Sequence, residues 1–334
     1  MEIEFLTVLV AVVSLIIIAI PGFIVVKAKM IDVKLSGAFS TLVLYVCAPA
    51  QVFMGFQKAN FTAELGKNML IVAGISAIAH IAMIGLMYLV VGIKKTDDQK
   101  LIAKKRVVRC ASVFGNAAYM GLPFLQILFP GVGEVIIYGA VVMSVFNILT
   151  WSVGVYMITG NPKDISVKKV LLHPVILAMF AGFIALIGAG KPLADLCVAD
   201  SSGDLILENL VKSINFVGDM VTPMAMFVIG MRLANVTVKQ LFLDKWAYIV
   251  SFFKLVVMAI LTMLLCAFLP VDNYVKYALF FLLSMPCAAS CALLSVQFGG
   301  DGDFASVSVL LSTIISILSI PVMFLIFNAL ISCL

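Results

Sequence analysis

Charge is what this sequence has least of: 12% of its 334 residues are Asp, Glu, Lys or Arg, against 63% hydrophobic. That balance excludes a soluble globular domain. No linker or low-complexity run is long enough to set a separate soluble domain apart. Histidine occurs only twice, and no Asp pair, Ser–His set or His-Glu-x-x-His motif falls in the apolar stretches, which argues against an intramembrane enzyme. A phosphate-binding glycine loop with its lysine is also missing, which argues against ATP as direct driver. The seven cysteines show no metal or disulfide spacing. Cys287 and Cys291 share a helix face, but no His or carboxylate joins them, so they read as small apolar packing residues. No cofactor is expected.

What is present is a series of ten apolar segments, near 5–26, 37–56, 68–92, 107–128, 135–159, 170–190, 207–231, 246–268, 274–297 and 305–330. Each has the length of about 20 residues that a helix needs to cross the hydrocarbon of a bilayer. The expected fold is an all-α integral membrane protein with ten transmembrane helices. The first segment is too long for a signal-peptide core, and Glu2 and Glu4 stand where a basic start is usual, so it is expected to remain as a helix. Alternate loops 27–36, 93–106, 160–169 and 232–245 hold fifteen of the 22 Lys and Arg residues, whereas the opposite loops hold Lys58, Lys67, Lys191 and Lys276. The densest cluster is Lys94, Lys95, Lys100, Lys104, Lys105 and Arg106. That side is expected to be cytoplasmic, which leaves both termini outside. The net charge of +5 is then a topology signal, and the partners it suggests are membrane lipid headgroups rather than nucleic acid.

Three echoes divide the chain into halves 1–159 and 170–334. F-P-G-V-G-E at 129–134 is matched by F-G-G-D-G-D at 298–303. Gly55-Phe56-Gln57-Lys58-Ala59-Asn60 is matched by Gly230-Met231-Arg232-Leu233-Ala234-Asn235, and Pro21-Gly22-Phe23-Ile24 by Ala181-Gly182-Phe183-Ile184. Ten spans split as five plus five, and an odd-numbered unit in tandem enters the membrane from opposite sides. Two inverted five-helix repeats are the expectation, the sequence trace of a secondary transporter.

Segments four and nine differ from the rest. Four reads Ser112-Val113-Phe114-Gly115-Asn116-Ala117-Ala118-Tyr119-Met120-Gly121-Leu122-Pro123, and nine reads Ser284-Met285-Pro286-Cys287-Ala288-Ala289-Ser290. Aligning the two F-x-G-x-G-acid endings sets Asn116-Ala117 level with Met285-Pro286. Proline removes a donor and clashes with the preceding turn, and Gly115 and Gly121 permit close backbone approach. Opened backbone at membrane depth is tolerated only where protein buries it or water reaches it. The expectation is a pair of broken helices crossing at the midplane, rather than two independent proline kinks. Helix N-termini there, with Met120, Ala289 and Ser290 beside them, suit a carboxylate; C-termini suit a cation.

Ionisable residues inside spans are costly and invite a functional reading. Lys254 in segment eight could neutralise the crossover C-termini in place of a coupling cation, attract an anion, or snorkel to the headgroups. His80 in segment three could carry protons or be a neutral side chain satisfied by a backbone carbonyl. Asp219, one turn before Pro223, could face the cavity or pair locally. Ser144, Asn147 and Thr150 in segment five, with Ser312, Thr313 and Ser316 in segment ten, could ligate a cation, satisfy opened backbone, or join helices. Gln51, two residues after Pro49, could line the cavity. Arg109 reads as an interface anchor.

Asn116-x-x-x-Met120-Gly121-Leu122-Pro123, then Met285-Pro286 and Ile320-Pro321, resemble the auxin efflux carrier family, as does Thr222-Pro223-Met224-Ala225-Met226-Phe227 with Gly230 following. The match runs across nearly the whole chain, and the short 160–169 loop is similar to compact prokaryotic members, some described as malate or malonate permeases. The resemblance implies a fold similar to sodium/proton antiporters and bile-acid symporters. A scaffold of segments 1, 2, 6 and 7 would face a mobile transport domain of segments 3–5 and 8–10. It maps the substrate-contacting asparagine onto Asn116 and the crossover proline onto Pro286, whereas Gly115 stands where some relatives have proline. The implied function is movement of a small organic anion across a bacterial-type inner membrane, with coupling to H+ or Na+ left open. Many relatives dimerise through the scaffold, so a homodimer is an expectation of the resemblance alone. A sodium-coupled bile-acid-like symporter and a ligand-binding receptor without transport remain the rival readings.

Overall fold

The computed structural model describes residues 5–94, 98–165, 167–196, 202–235, 241 and 243–333. Glu2, Glu4 and Lys95, used above for topology, lie outside the described residues, as do 236–240 and 242 of the loop 232–245. Among the described residues every regular element is helical. In chain order these are α1 Phe5–Lys27, α2 Val33–Gly55, α3 Ala63–Val90 and α4 Gln99–Val113. Then come α5 Leu122–Leu128, entered through a π-helical turn Ala117–Gly121, α6 Gly133–Thr159, α7 Pro174–Ala189 and α8 Leu205–Asn235. The chain ends with α9 Lys245–Ala267, α10 Asn273–Leu283, α11 Ala289–Gln297 and α12 Gly302–Ser332. Seven of them, α1, α2, α3, α6, α8, α9 and α12, are long and apolar enough to cross a membrane. The apolar α7 is shorter, and the fourth and ninth predicted segments are each divided in two.

The scarce polar residues mark where helices begin. Thr62, Asp98, Asp244, Asp272 and Asp301 each accept a backbone N–H from the first turn they precede, which satisfies one of the donors a helix start leaves unpaired. The two matched endings are helix stops: Gly131 (φ +80°) and Gly299 (φ +74°) take the left-handed conformation just after Phe129 and Phe298.

The helices pack on one another through two kinds of contact. α1 crosses α8 at backbone distance, because a Cβ on Gly22 would lie 2.0 Å from the Phe227 carbonyl oxygen, and one on Gly230 would lie 1.9 Å from that of Ala19. α2 meets α7 at Gly182, whose carbonyl accepts from Gln57 Nε2 at 3.0 Å, and meets α8 at Gly218, directly against the Gln51 backbone. Small residues that let backbones touch are the usual contact between helices in lipid. Larger rings make the other kind, both between these helices, as Phe39 with Phe227 and Phe56 with Phe183, and elsewhere. Phe280 stacks on Phe327 at 4.4 Å, Phe281 on Phe324 at 5.2 Å, and Phe124 meets Phe281 edge-on at 5.1 Å. These tie α5, α10 and α12 together, and α3 and α9 pack around them.

Candidate functional site

The two broken helices meet at their breaks. α4 ends at Val113 and α10 at Leu283, and extended backbone follows at Phe114 (φ −88°, ψ 116°) and, in the second strand, at Ala288 (φ −66°, ψ 133°). Pro286 brings no N–H and disrupts the turn before it. The stretches pair antiparallel with Gly115 opposite Cys287. Asn116 N–H donates to the Pro286 carbonyl at 2.7 Å, and Ala288 N–H donates to that of Phe114 at 3.0 Å. Ser312 Oγ accepts the Cys287 N–H at 3.1 Å, and the Cys287 thiol donates to the Ala111 carbonyl at 3.0 Å. Thus Ser312 satisfies opened backbone, one of the roles its position allowed. Cys287 packs and also donates, which its reading as a mere packing residue missed. The sequence alignment set Asn116 level with Met285 as corresponding positions of the two segments; in the antiparallel pairing Asn116 faces Pro286.

Lys254 lies at the back of this crossing. It is fully buried, and its Nζ donates to the carbonyls of Leu283 at 2.8 Å and Val113 at 3.2 Å. Those are the terminal residues of α10 and α4, so one ammonium caps both half-helix C-termini. Each such end carries roughly −0.5 of an elementary charge, and the two together match one cation. The side chain turns inward rather than toward headgroups. It stands in a π-helical turn, Phe253–Val257, a local widening often found at functional sites.

On the opposite side lie the starts of α11 and of the turn leading to α5. Asn116 is 2% exposed, and its Nδ2 has no hydrogen-bond partner. Its carbonyl accepts from Met120 and Gly121 N–H at 3.1 and 3.0 Å, which fixes the turn. Ala289 and Ser290 occupy the first helical positions of α11, whose N–H groups no intrahelical carbonyl can reach. The Ser290 hydroxyl and Gln51 Oε1 are also buried and unpartnered, and Met120 and Pro286 are buried. Two further unpartnered hydroxyls, Ser112 and Ser284, flank the crossing at corresponding places before the paired residues. Their shared place four residues before Asn116 and Ala288, Ser-x-x-x-Asn and Ser-x-x-x-Ala, was the signal that could have found them.

Other polar residues turn to local partners. His80 is buried with Nδ1 donating to the Ser76 carbonyl at 2.7 Å, and it stacks on Phe114. Asp219 is exposed and accepts from Asn215 Nδ2 at 2.8 Å. Asn147, Ser144 and Thr313 bond carbonyls four residues back on their own helices, at 2.8, 2.7 and 2.7 Å; Ser316 bonds that of Thr313, and Thr150 Oγ1 has no partner. Arg109 does not reach outward as an interface anchor: its Nε and Nη2 donate to the Val91 carbonyl at 2.8 and 2.6 Å, capping α3, beneath the Tyr88 ring.

A family model described as membrane transport protein matches residues 7–324, nearly the whole chain. No curated protein matches the sequence.

Proposed function

The chain belongs to the membrane transport protein family, the auxin efflux carriers, and from that premise we propose that it moves a small organic anion by alternating access. The ligand is a carboxylate such as malate, malonate or an auxin-like acid. The observation that carries this is the unpartnered Asn116 Nδ2, buried beside the helix starts at the crossing. An amide donor and orphan N–H groups on a positive helix end complement a carboxylate. On this reading the ten apolar segments are ten spans in two inverted repeats. The scaffold is α1, α2, α7 and α8, and the transport domain is α3–α6 with α9–α12; the glycine contacts within the first group and the ring contacts within the second support that partition.

Lys254 supplies the coupling charge. A cation bound at the crossing would need the carbonyls at the ends of α4 and α10, and both accept from its ammonium. A fixed positive charge at that place makes sodium unnecessary, so the bile-acid-like sodium symporter is the weaker reading. The basic loops lie toward the cytoplasm of a bacterial-type inner membrane, with both termini outside.

The test is uptake of labelled malate, malonate, lactate and indole-acetate into liposomes, with sodium, proton and potential gradients imposed separately. Saturable flux lost in Asn116→Ala places the site at the crossing. Saturable binding without flux under any gradient means a receptor, and flux indifferent to Asn116→Ala removes the site but keeps the carrier.

A further inference from the structure

Arg232 belongs to no part of the crossing. It lies in the last turn of α8, partly buried, and its Nη2 donates to Ser40 Oγ at a long 3.4 Å. Among the described residues no carboxylate pairs with it. A guanidinium has five donors in a planar fork, and taking it out of water with one weak acceptor is costly. The same fork binds a carboxylate or phosphate through two parallel N–H groups.

The side chain opens onto a cavity of about 690 Å³. Lys34 and Ser36 at the start of α2 line it with Arg232, as do Ala292 and Val296 of α11 and Asp303 and Ser306 of α12. Arg232 and Lys34 outnumber the one carboxylate among the lining residues, Asp303, and Ala292, Leu293 and Val296 add apolar surface, a lining that fits an organic acid with a short apolar body. Ala292 is roughly one turn from Ala289, where α11 starts at the crossing, and α8 packs against the Ala117–Gly121 turn that follows Asn116.

We propose that this cavity is a second anion site, in which Arg232, helped by Lys34, holds the carboxylate of a small organic acid on the face of the basic loops before it passes to Asn116. Its place on a transport path rests on the reading of the crossing given above; the binding itself does not.

The experiment is calorimetric titration of malate into purified protein in phosphatidylcholine nanodiscs, with Asn116→Ala, Arg232→Gln and Arg232→Lys, each checked for an unchanged melting profile. Asn116→Ala is expected to retain one malate site, and adding Arg232→Gln to it is expected to weaken that site about tenfold or more, a loss of about 1.4 kcal/mol. Arg232→Lys is expected to keep part of the affinity, which a purely structural role would not predict. In liposomes Arg232→Gln should raise the half-saturating malate concentration on the cavity side alone and leave the maximal rate within about twofold. Malate binding indifferent to Arg232→Gln in the Asn116→Ala background overturns the proposal. So does an Arg232-dependent site that takes phosphatidylglycerol and not malate, which is a lipid site. Arg232-dependent malate binding in a protein without flux would sink the carrier reading and leave this one standing.

Discussion

Lys254 passes through the space that Gly115 leaves by having no side chain. A Cβ on Gly115 would lie 2.6 Å from Lys254 Cε and 2.7 Å from Nζ, and 3.0 Å from the Met285 carbonyl oxygen. The glycine is therefore required by the lysine as much as by the bend. Gly115→Ala should displace the ammonium from the two carbonyls, lower the melting temperature and cut flux. The steric origin is checked by a double-mutant cycle: combined with Lys254→Ala, the second change should cost less than it does alone, with a coupling of about 1 kcal/mol within the usual range for touching residues. Strict additivity would mean that the two do not meet.

Lys254→Met keeps the length and removes the charge. It leaves the Val113 and Leu283 carbonyls at the ends of α4 and α10 without their donor. Leaving a buried acceptor without its donor costs about 1–3 kcal/mol in typical cases, so thermal unfolding in detergent should fall below wild type. Wild-type flux should be the same in sodium and choline media. A requirement for sodium in the wild type would show that the lysine does not replace a coupling cation.

The breaks, the lone lysine and the asparagine were legible in the sequence because each violates a local rule. A proline in segment nine, a cation among apolar residues and an amide close to glycines each stand out in an apolar helix, although a simple kink and a snorkelling lysine were open readings of the first two. The register of the crossing was not legible, because which residues of two separate segments pair depends on how the fold brings them together. For Asp219 and His80 the sequence left a functional role open beside a local partner, and the local partner is what the structure shows. A polar side chain in a helix can reach a partner four residues back along the same helix, and Asn215, Met143 and Ser76 take that role here. Arg109 is the opposite case: the Val91 carbonyl it caps is 18 residues away, a contact only the fold creates.

The α1–α8 contact predicts a sharp contrast between glycines. In Gly230→Ala the new Cβ meets a backbone carbonyl at 1.9 Å, which no rotamer change relieves. Separating the helices should cost at least the 1–3 kcal/mol typical of overpacking. Gly74→Ala in α3 meets nothing within 4 Å, and removing a helical glycine there should stabilise by about 0.5–1 kcal/mol. Melting curves of the two variants should move in opposite directions. A Gly230→Ala protein as stable as wild type would mean that α1 and α8 do not touch at that point.

Two cysteine bridges separate motion within a body from motion between bodies. Cys110 in α4 and Cys291 in α11 already lie with sulfurs 4.0 Å apart, both inside the proposed transport domain, so joining them with a permeant oxidant should leave flux largely intact. A Cβ on Gly55 of α2 would lie 3.4 Å from the Ala140 Cβ of α6, close to the 3.5–4.5 Å that a disulfide spans. Gly55→Cys with Ala140→Cys therefore bridges the proposed scaffold and transport domain. Oxidation of that pair should stop malate flux, and a reductant should restore it. Retained flux in the oxidised double variant, with the bridge verified by mass, would show that α2 and α6 do not slide past one another and that the boundary between the moving parts runs elsewhere.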